Sequence, residues 1–154
     1  IIWLQNKFYK MENDFTCENY HSILCKEVPD FLRKYFNLGL LTRLDKIGLL
    51  CGTDWTPLFK NKFFYSRFNH SLGVALIIWN FTHDKKQTLA GLFHDIATPV
   101  FKHCIDFMNG DSENQEYTEE RTKDIIKNSS KIMELLKRDN IKLKQEVLTE
   151  LGIC

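Results

Sequence analysis

The stretch 88–103, TLAGLFHDIATPVFKH, carries the strongest signal in this chain. An apolar helical run ends there in an adjacent imidazole and carboxylate, His94 and Asp95, and the helix breaker Pro99 follows. Imidazole nitrogens and carboxylate oxygens are common ligands of divalent transition metals. The sequence therefore predicts two metal ligands at the inner end of a helix.

A second stretch, 65–79 (YSRFNHSLGVALIIW), predicts the helix that precedes it and a third ligand. Ser66 is a suitable N-cap, which places His70 in the second turn of a strongly apolar helix. Two consecutive helices with a short connection pack antiparallel, so a residue near the start of the first lies level with the end of the second. We therefore expect His70 to converge with His94 and Asp95.

For His94 and Asp95 there is also a simpler interpretation, a buried hydrogen-bonded pair in a helical core. Adjacent residues of a helix do not face each other, so we expect such an internal pair to be geometrically awkward. This consideration and the surrounding motif favour metal ligation. His70 alone would more often be a hydrogen-bonded core histidine, and only its context in the segment RFNHSLGV favours a ligand.

Composition limits the class of protein. A chain of 154 residues with 44% hydrophobic and 27% charged residues is expected to form one globular domain. The net charge of +1 gives no broad field that would attract nucleic acid. The five scattered cysteines fit a reducing cytosol, and the longest apolar run, 74–79, is too short to span a membrane. We expect a cytoplasmic protein with neither a membrane segment nor a clear nucleic-acid surface.

The periodicity predicts an all-α chain with no long strand. Residues 1–27 are expected to form a loosely structured lead-in with one short helix, and 28–154 the helical domain. His21 and His83 lack supporting context and are expected on the surface. Helices are predicted over 29–37, 38–50, 85–97, 99–108 and 144–151. The helix that carries His70 has a buried apolar portion over 72–81, and a further helical segment runs from 118 past Leu136. Loops are predicted over 52–62 and 110–116.

The two stretches resemble the HD-domain phosphohydrolase superfamily, and within it the deoxynucleoside triphosphate triphosphohydrolase branch. In that branch an RF-x-HSLGV segment precedes a GL-x-HD-I/L segment that ends in F-x-H. The likeness extends upstream to Arg43-Leu44 and Ile47, and more weakly downstream to about Asn128. The matching residues here are Arg67, Phe68, His70, Ser71, Leu72, Gly73, Val74, Gly91, Leu92, His94, Asp95, Ile96, Phe101 and His103.

The resemblance implies an HD-domain helical bundle with a metal site between central helices. The ion, which the sequence does not distinguish among Mn, Fe, Mg, Ni, Co and Zn, would activate water for hydrolysis of a phosphorylated small molecule such as a nucleotide. The branch often assembles into homo-oligomers. By the same resemblance, a fourth ligand, a distal Asp, should lie beyond residue 154.

Four further residues are candidates for phosphate binding and acid–base chemistry. Arg67 lies three residues before His70 on the same helical side, where it could hold phosphate; the alternative is a solvated arginine at a helix start. His103 and Asp106 share one helical face, and the resemblance places His103 in the phosphate pocket. Glu119 aligns with the catalytic histidine of the branch and is, with Asp106, an acid–base candidate.

The chain departs from the branch at several positions. Thr98 and Pro99 replace a second His-Gly pair, so one phosphate-pocket histidine is missing, and Leu49 replaces the glutamine that reads the base. Local substitutes for the distal ligand, Asp111, Asp124 and Asp139, have no motif around them. The sequence opens on Ile1 and not on methionine, which is compatible with a piece of a longer protein. For such a piece we expect a site that is merely cut open, and for a complete chain a degenerate HD fold.

Two functions remain open at this level. The first is a metal-dependent phosphohydrolase, in which His70, His94 and Asp95 bind the ion. The second is a catalytically impaired HD fold that serves as a nucleotide-binding or protein-interaction domain. The intact ligands favour the enzyme, and the missing pocket histidine and distal Asp favour the impaired fold.

Overall fold

The computed structural model describes residues 16–49, 64–99 and 116–141, and the side chains of 116–120 lie outside this description. These stretches contain helices and no strand; Gly48 and Ser66 form one isolated antiparallel bridge. The expected all-α class is confirmed. The helices are α1 (Cys17–Leu24), α2 (Asp30–Arg33), α3 (Gly39–Thr42) with a 3-10 helix (Arg43–Lys46), α4 (Arg67–Thr82), α5 (Lys85–Phe93), α6 (Glu116–Asn128) and α7 (Ser130–Arg138).

Helices α4 and α5 form the centre of the fold, and local signals set their limits. Ser66 caps α4, since its hydroxyl accepts a hydrogen bond from the amide of Asn69 at 3.1 Å, as predicted. The exposed His83 ends α4 in the left-handed conformation (φ 51°), and Asp84 caps α5. With only two residues between them, the helices pack antiparallel.

Gly91 allows these two helices to approach closely. A Cβ atom built on Gly91 would lie 2.6 Å from Cδ1 of Ile78 and 3.3 Å from Cγ1 of Val74. Glycine is therefore the residue that fits at this crossing. The close approach fixes the register in which the end of α5 lies beside the start of α4.

The predicted burial of α4 holds for only part of the helix. Leu72, Ala75 and Leu76 are buried, but Ile77 is 41% exposed and Phe81 is 81% exposed. Ile77 and Phe81 are four residues apart and share one face of the helix, whereas Trp79 packs against the ring of Phe31 with centroids 5.1 Å apart. The exposed surface is therefore one face of the second half of α4. No helix in the described part of the chain is long and apolar enough to cross a membrane.

His21 is buried, so the prediction of a surface position was wrong. It lies on α1, which packs against α4, and only 7% of the residue is exposed. Its Nε2–H donates to the backbone carbonyl of Asn69 at 3.0 Å, and burial lowers the pKa of the imidazole. The tertiary contact between α1 and α4 overrides the polar local context of His21.

Other predicted segments differ in length or cannot be compared. The helices expected over 29–37 and 38–50 are shorter pieces, α2 and α3 with its 3-10 extension, and α5 ends four residues before the predicted end at 97. Asp95 to Ala97 continue as a turn, in which the amide of Ile96 bonds to the carbonyl of Phe93 at 3.0 Å. The segments 1–15, 52–62, 100–108, 110–115 and 144–151 lie outside the described residues.

The end of α7 is tied to α2 through one carboxylate. The fully buried Tyr35 donates its hydroxyl to Oδ2 of Asp139 at 2.7 Å, and Lys34 pairs with Oδ1 at 3.1 Å. Burial acts to raise the pKa of Asp139, but the bonds from Tyr35 and Lys34 outweigh it and hold that pKa below its usual value of 3.8. Asp139 thus serves as a tertiary contact.

Replacing Tyr35 with phenylalanine is expected to lower the free energy of unfolding by about 1–2 kcal/mol at pH 7, since a hydrogen bond to a charged acceptor is lost. Because the folded pKa of Asp139 is lowered, its contribution is present above the unfolded pKa and disappears as the pH falls through the folded value. The difference between wild type and variant should therefore shrink below about pH 4. Urea unfolding of both proteins at pH 7 and at pH 3 measures this difference in the free energy of unfolding. If the difference were as large at pH 3 as at pH 7, the acceptor of the Tyr35 hydroxyl would not be an ionised Asp139 carboxylate.

Candidate metal centre

Three side chains meet where the start of α4 lies beside the end of α5. His70, His94 and Asp95 each offer one ligand atom, and these atoms all lie within 4.8 Å of one another. The ring centroids of the two histidines are 5.2 Å apart, with the rings edge to face. The convergence expected from antiparallel packing is present, and metal binding by these three residues remains a prediction.

The imidazole of His94 has a defined orientation. Its Nδ1 lies 2.7 Å from the carbonyl oxygen of Gly91. Because a carbonyl only accepts hydrogen bonds, Nδ1 carries the proton in this bond and Nε2 presents a lone pair. Such an outer hydrogen bond is typical of metal-ligating histidines. Nε2 of His94 is also the nitrogen that faces Asp95.

His94 and Asp95 approach each other although they are adjacent in sequence. Nε2 of His94 lies 3.6 Å from Oδ2 of Asp95. They come this close because α5 ends at Phe93 and Asp95 lies in the turn that follows, where the helical rule for adjacent residues no longer applies. At 3.6 Å the two atoms are farther apart than in a hydrogen bond, a separation that suits two ligands of one ion.

The carboxylate of Asp95 is buried and held on both oxygens. The residue is 5% exposed; Oδ2 accepts from Nη1 of Arg67 at 3.2 Å, and Oδ1 accepts from the hydroxyl of Thr98 at 2.9 Å. Thr98 is itself fully buried. Contacts of this kind fix the direction of a ligating carboxylate.

Arg67 lies beside the cluster instead of in solvent. Only 6% of the residue is exposed, so the alternative of a solvated arginine at the helix start was wrong. Its backbone amide donates to the carbonyl of Ile47 at 2.8 Å, which joins the start of α4 to the 3-10 segment. The guanidinium therefore places a permanent positive charge next to Asp95.

A second arginine, Arg43, contacts the turn that contains Asp95. Nη1 donates to the carbonyl of Thr98 and Nη2 to the carbonyl of Ile96, both at 2.9 Å. Neither Arg43 nor Thr98 was predicted to contact this site. The one signal for Arg43 in the sequence was the family likeness at Arg43-Leu44.

The remaining candidates lie elsewhere or outside the described residues. Asp124 is exposed on α6, and Asp139 is bonded to Tyr35 and Lys34. Within the ranges 16–49, 64–99 and 116–141, the cluster contains three residues that could hold a metal ion. His103, Asp106 and Asp111 and the side chain of Glu119 are outside the description, so their predicted roles remain predictions.

The donor set can be compared with the preferences of metals. Two imidazole nitrogens and one carboxylate oxygen suit Mn, Fe, Co, Ni or Zn, whereas Mg²⁺ prefers oxygen ligands and retains several waters. The ligand residues therefore fit a divalent transition ion. A bound Asp95 would keep its contacts with Thr98 and Arg67 as outer partners.

Comparison with known proteins agrees with this geometry. The sequence model of the HD domain matches residues 67–151, more than half of the chain, and the matched range includes His70, His94 and Asp95. No curated protein and no solved structure matches the chain. HD domains generally bind divalent metals and generally act as hydrolases. The chain belongs to the HD domain family.

Proposed function

We propose that this chain is a metal-dependent phosphohydrolase that acts on a nucleotide or another phosphate ester. The observation that supports it most is the cluster of His70, His94 and Asp95 inside the matched HD domain. A bound divalent ion lowers the pKa of a coordinated water toward ~7 and supplies a hydroxide nucleophile at neutral pH. The ligands would be Nε2 of His94, one imidazole nitrogen of His70 and a carboxylate oxygen of Asp95.

The residues around the cluster suggest how a phosphate would be oriented. Arg67 has a planar, permanently charged guanidinium beside Asp95, and such a group binds phosphate oxygens through parallel N–H donors. His103 is proposed as a second phosphate contact. Asp106 and Glu119 are proposed to donate a proton to the leaving oxygen or accept one from water.

One observation favours a second function, a catalytically impaired HD fold that binds a nucleotide or a protein. Thr98 occupies the position where the triphosphohydrolase branch has a histidine that contacts phosphate. Its side chain is fully buried and its hydroxyl is directed to Asp95. The Thr98 hydroxyl is therefore engaged with Asp95 and does not face a substrate. The site thus has one hydrogen-bond donor to phosphate fewer than the branch.

The test combines metal content with hydrolysis. Purified chain loaded with Mn²⁺, Co²⁺ or Fe²⁺ is assayed by elemental analysis and against a panel of nucleoside mono- and triphosphates and p-nitrophenyl phosphate. His70→Ala removes a ligand, and His83→Asn is the matched control, because His83 is exposed and asparagine tolerates its left-handed backbone. We expect about one ion per chain and turnover in wild type and control, with both lost in His70→Ala.

Other outcomes separate the two functions. Metal uptake with no turnover on any substrate, together with saturable nucleotide binding, would favour the impaired fold. Turnover that survives in His70→Ala would contradict the proposed centre, since a three-ligand site that loses one imidazole retains only two donors.

A further inference from the structure

The backbone of the turn after α5 is held by an arginine from a distant part of the chain. Arg43 lies on the 3-10 helix, more than fifty positions earlier in the chain, and its two terminal nitrogens bond to the carbonyls of Ile96 and Thr98 at 2.9 Å each. The planar guanidinium forms a rigid fork, so two simultaneous bonds restrict both the distance and the angle of the two carbonyls. This arrangement is called the Arg43 clamp below.

The Arg43 clamp binds the backbone just after Asp95, at Ile96 and Thr98. Within the turn, the amide of Ile96 donates to Phe93 and the amide of Thr98 to Asp95, at 3.0 and 2.9 Å. The Thr98 hydroxyl also donates to the Asp95 carboxylate. Arg43 therefore holds the backbone of Thr98, and the side chain of Thr98 holds Oδ1 of Asp95.

The charge of Arg43 is not used in an ion pair within the described residues. Its two partners there are neutral carbonyls, and burial lowers the pKa of its guanidinium. A partly buried arginine that binds carbonyls loses hydration without the gain of a salt bridge. The arrangement is explained by the geometry that it imposes on the turn.

From this geometry we infer that Arg43 is a positioning residue for Asp95: it fixes the turn 94–98 so that the carboxylate points at the two histidines. The inference rests on the proposed metal centre for its functional meaning, while the clamp itself can be tested without metal. Arg43 does not belong to the ligand cluster and would act only through the turn.

The first measurement is the backbone amide order parameter of the metal-free native chain, obtained by NMR relaxation, in which three amides are compared. Those of Ile96 and Thr98 report on the turn, and that of Leu76, in the middle of α4, reports on the rigidity of the helix core. In Arg43→Met, which keeps an apolar stem but loses both donors, the order parameters of Ile96 and Thr98 should fall from about 0.85 toward about 0.6, and that of Leu76 should stay near its wild-type value. Lys46→Gln, an exposed position on the same 3-10 helix, is the matched control and should leave all three unchanged.

Arg43→Lys keeps the charge but not the fork, and it provides a second variant should Arg43→Met fail to fold. A lysine can reach one carbonyl at a time as a point donor, so we expect a smaller loss of order at the same two amides. An equal loss of order at all three amides would mean a general structural role and would overturn the inference. Unchanged order parameters at Ile96 and Thr98 would overturn it as well.

The second measurement is the affinity and visible absorption spectrum of bound Co²⁺. Loss of an outer contact of a metal ligand typically lowers metal affinity about 10- to 100-fold. Because Arg43 acts on Asp95 only through Thr98, Arg43→Met should weaken Co²⁺ binding by about the lower of these factors and alter the ligand-field bands, with partial recovery in Arg43→Lys. If Arg43→Met bound Co²⁺ with the wild-type affinity and spectrum, the link from the clamp to Asp95 would be overturned. If wild-type chain takes up no Co²⁺, the proposed function fails, and the order parameters alone decide the clamp.

Discussion

Replacing Asp95 with alanine is expected to lower the free energy of unfolding by about 3–5 kcal/mol even in chelator, when no metal is bound. Both partners of the Arg67–Asp95 pair have side chains only 7% exposed, so removal of the carboxylate breaks a buried ion pair and takes this counter-charge away from the guanidinium. The Thr98 hydroxyl loses its acceptor at the same time. Such a loss is a large part of the 5–15 kcal/mol that typically stabilises a domain.

Two further variants test this explanation. Asp95→Asn keeps an oxygen for the hydroxyl of Thr98 and loses the charge, so its cost should be smaller than that of alanine. In a double-mutant cycle, Arg67→Met with Asp95→Ala should cost less than the sum of the single changes, because each single change already breaks the same buried ion pair. Urea unfolding supplies the numbers. Asp124→Ala is the control, because Asp124 is exposed. If Asp95→Ala were as stable as this control, the buried Arg67–Asp95 pair would not contribute to stability.

The positions that could be predicted from sequence depend on short-range rules. Ser66 as N-cap and the two-residue connection at His83 and Asp84 are local signals, and together they set α4 and α5 antiparallel. Once these helices are antiparallel, the meeting of His70 with His94 follows from their places in the sequence. This is why the ligand cluster could be located before the fold was known.

The contacts that could not be predicted join distant parts of the chain. The bonds of Arg43 to Ile96 and Thr98 cross 53 and 55 positions, and no periodicity links such residues. His21 was placed on the surface for the same reason, because its partner Asn69 is 48 positions away. Hydrophobic patterns locate the buried faces of helices, but they do not identify which polar groups meet between them.

The geometry of His94 and Asp95 shows a different limit. The rule that adjacent helical residues diverge is sound within a helix, but α5 ends one residue before His94. Helix ends are predicted less accurately than helix centres, and here the end lies at the functional residues. The turn brings the two donor atoms to 3.6 Å, which an unbroken helix would not.

Addition of Co²⁺ or Mn²⁺ to the metal-free chain is expected to stabilise it, and the change His94→Ala should abolish most of this effect. An ion that binds only the folded state at 100 times its Kd adds about 2.7 kcal/mol to the free energy of unfolding. Loss of an outer contact weakens metal binding by up to about 100-fold, and loss of a direct imidazole donor should exceed this. At the same ion concentration, a 100-fold weaker site adds only about 0.4 kcal/mol by the same relation.

The controls for this result distinguish the centre from other metal-binding groups of the chain. His83→Asn removes an exposed imidazole and should retain the full stabilisation, since a surface histidine adds only weak, unspecific binding. Ca²⁺ should have little effect on wild type, because it prefers oxygen ligands and the cluster offers two nitrogens. If His94→Ala kept the whole effect of Co²⁺, the ion would bind away from His70 and Asp95, and the HD pair would then be a structural contact: a buried carboxylate neutralised by Arg67 beside a histidine oriented by Gly91.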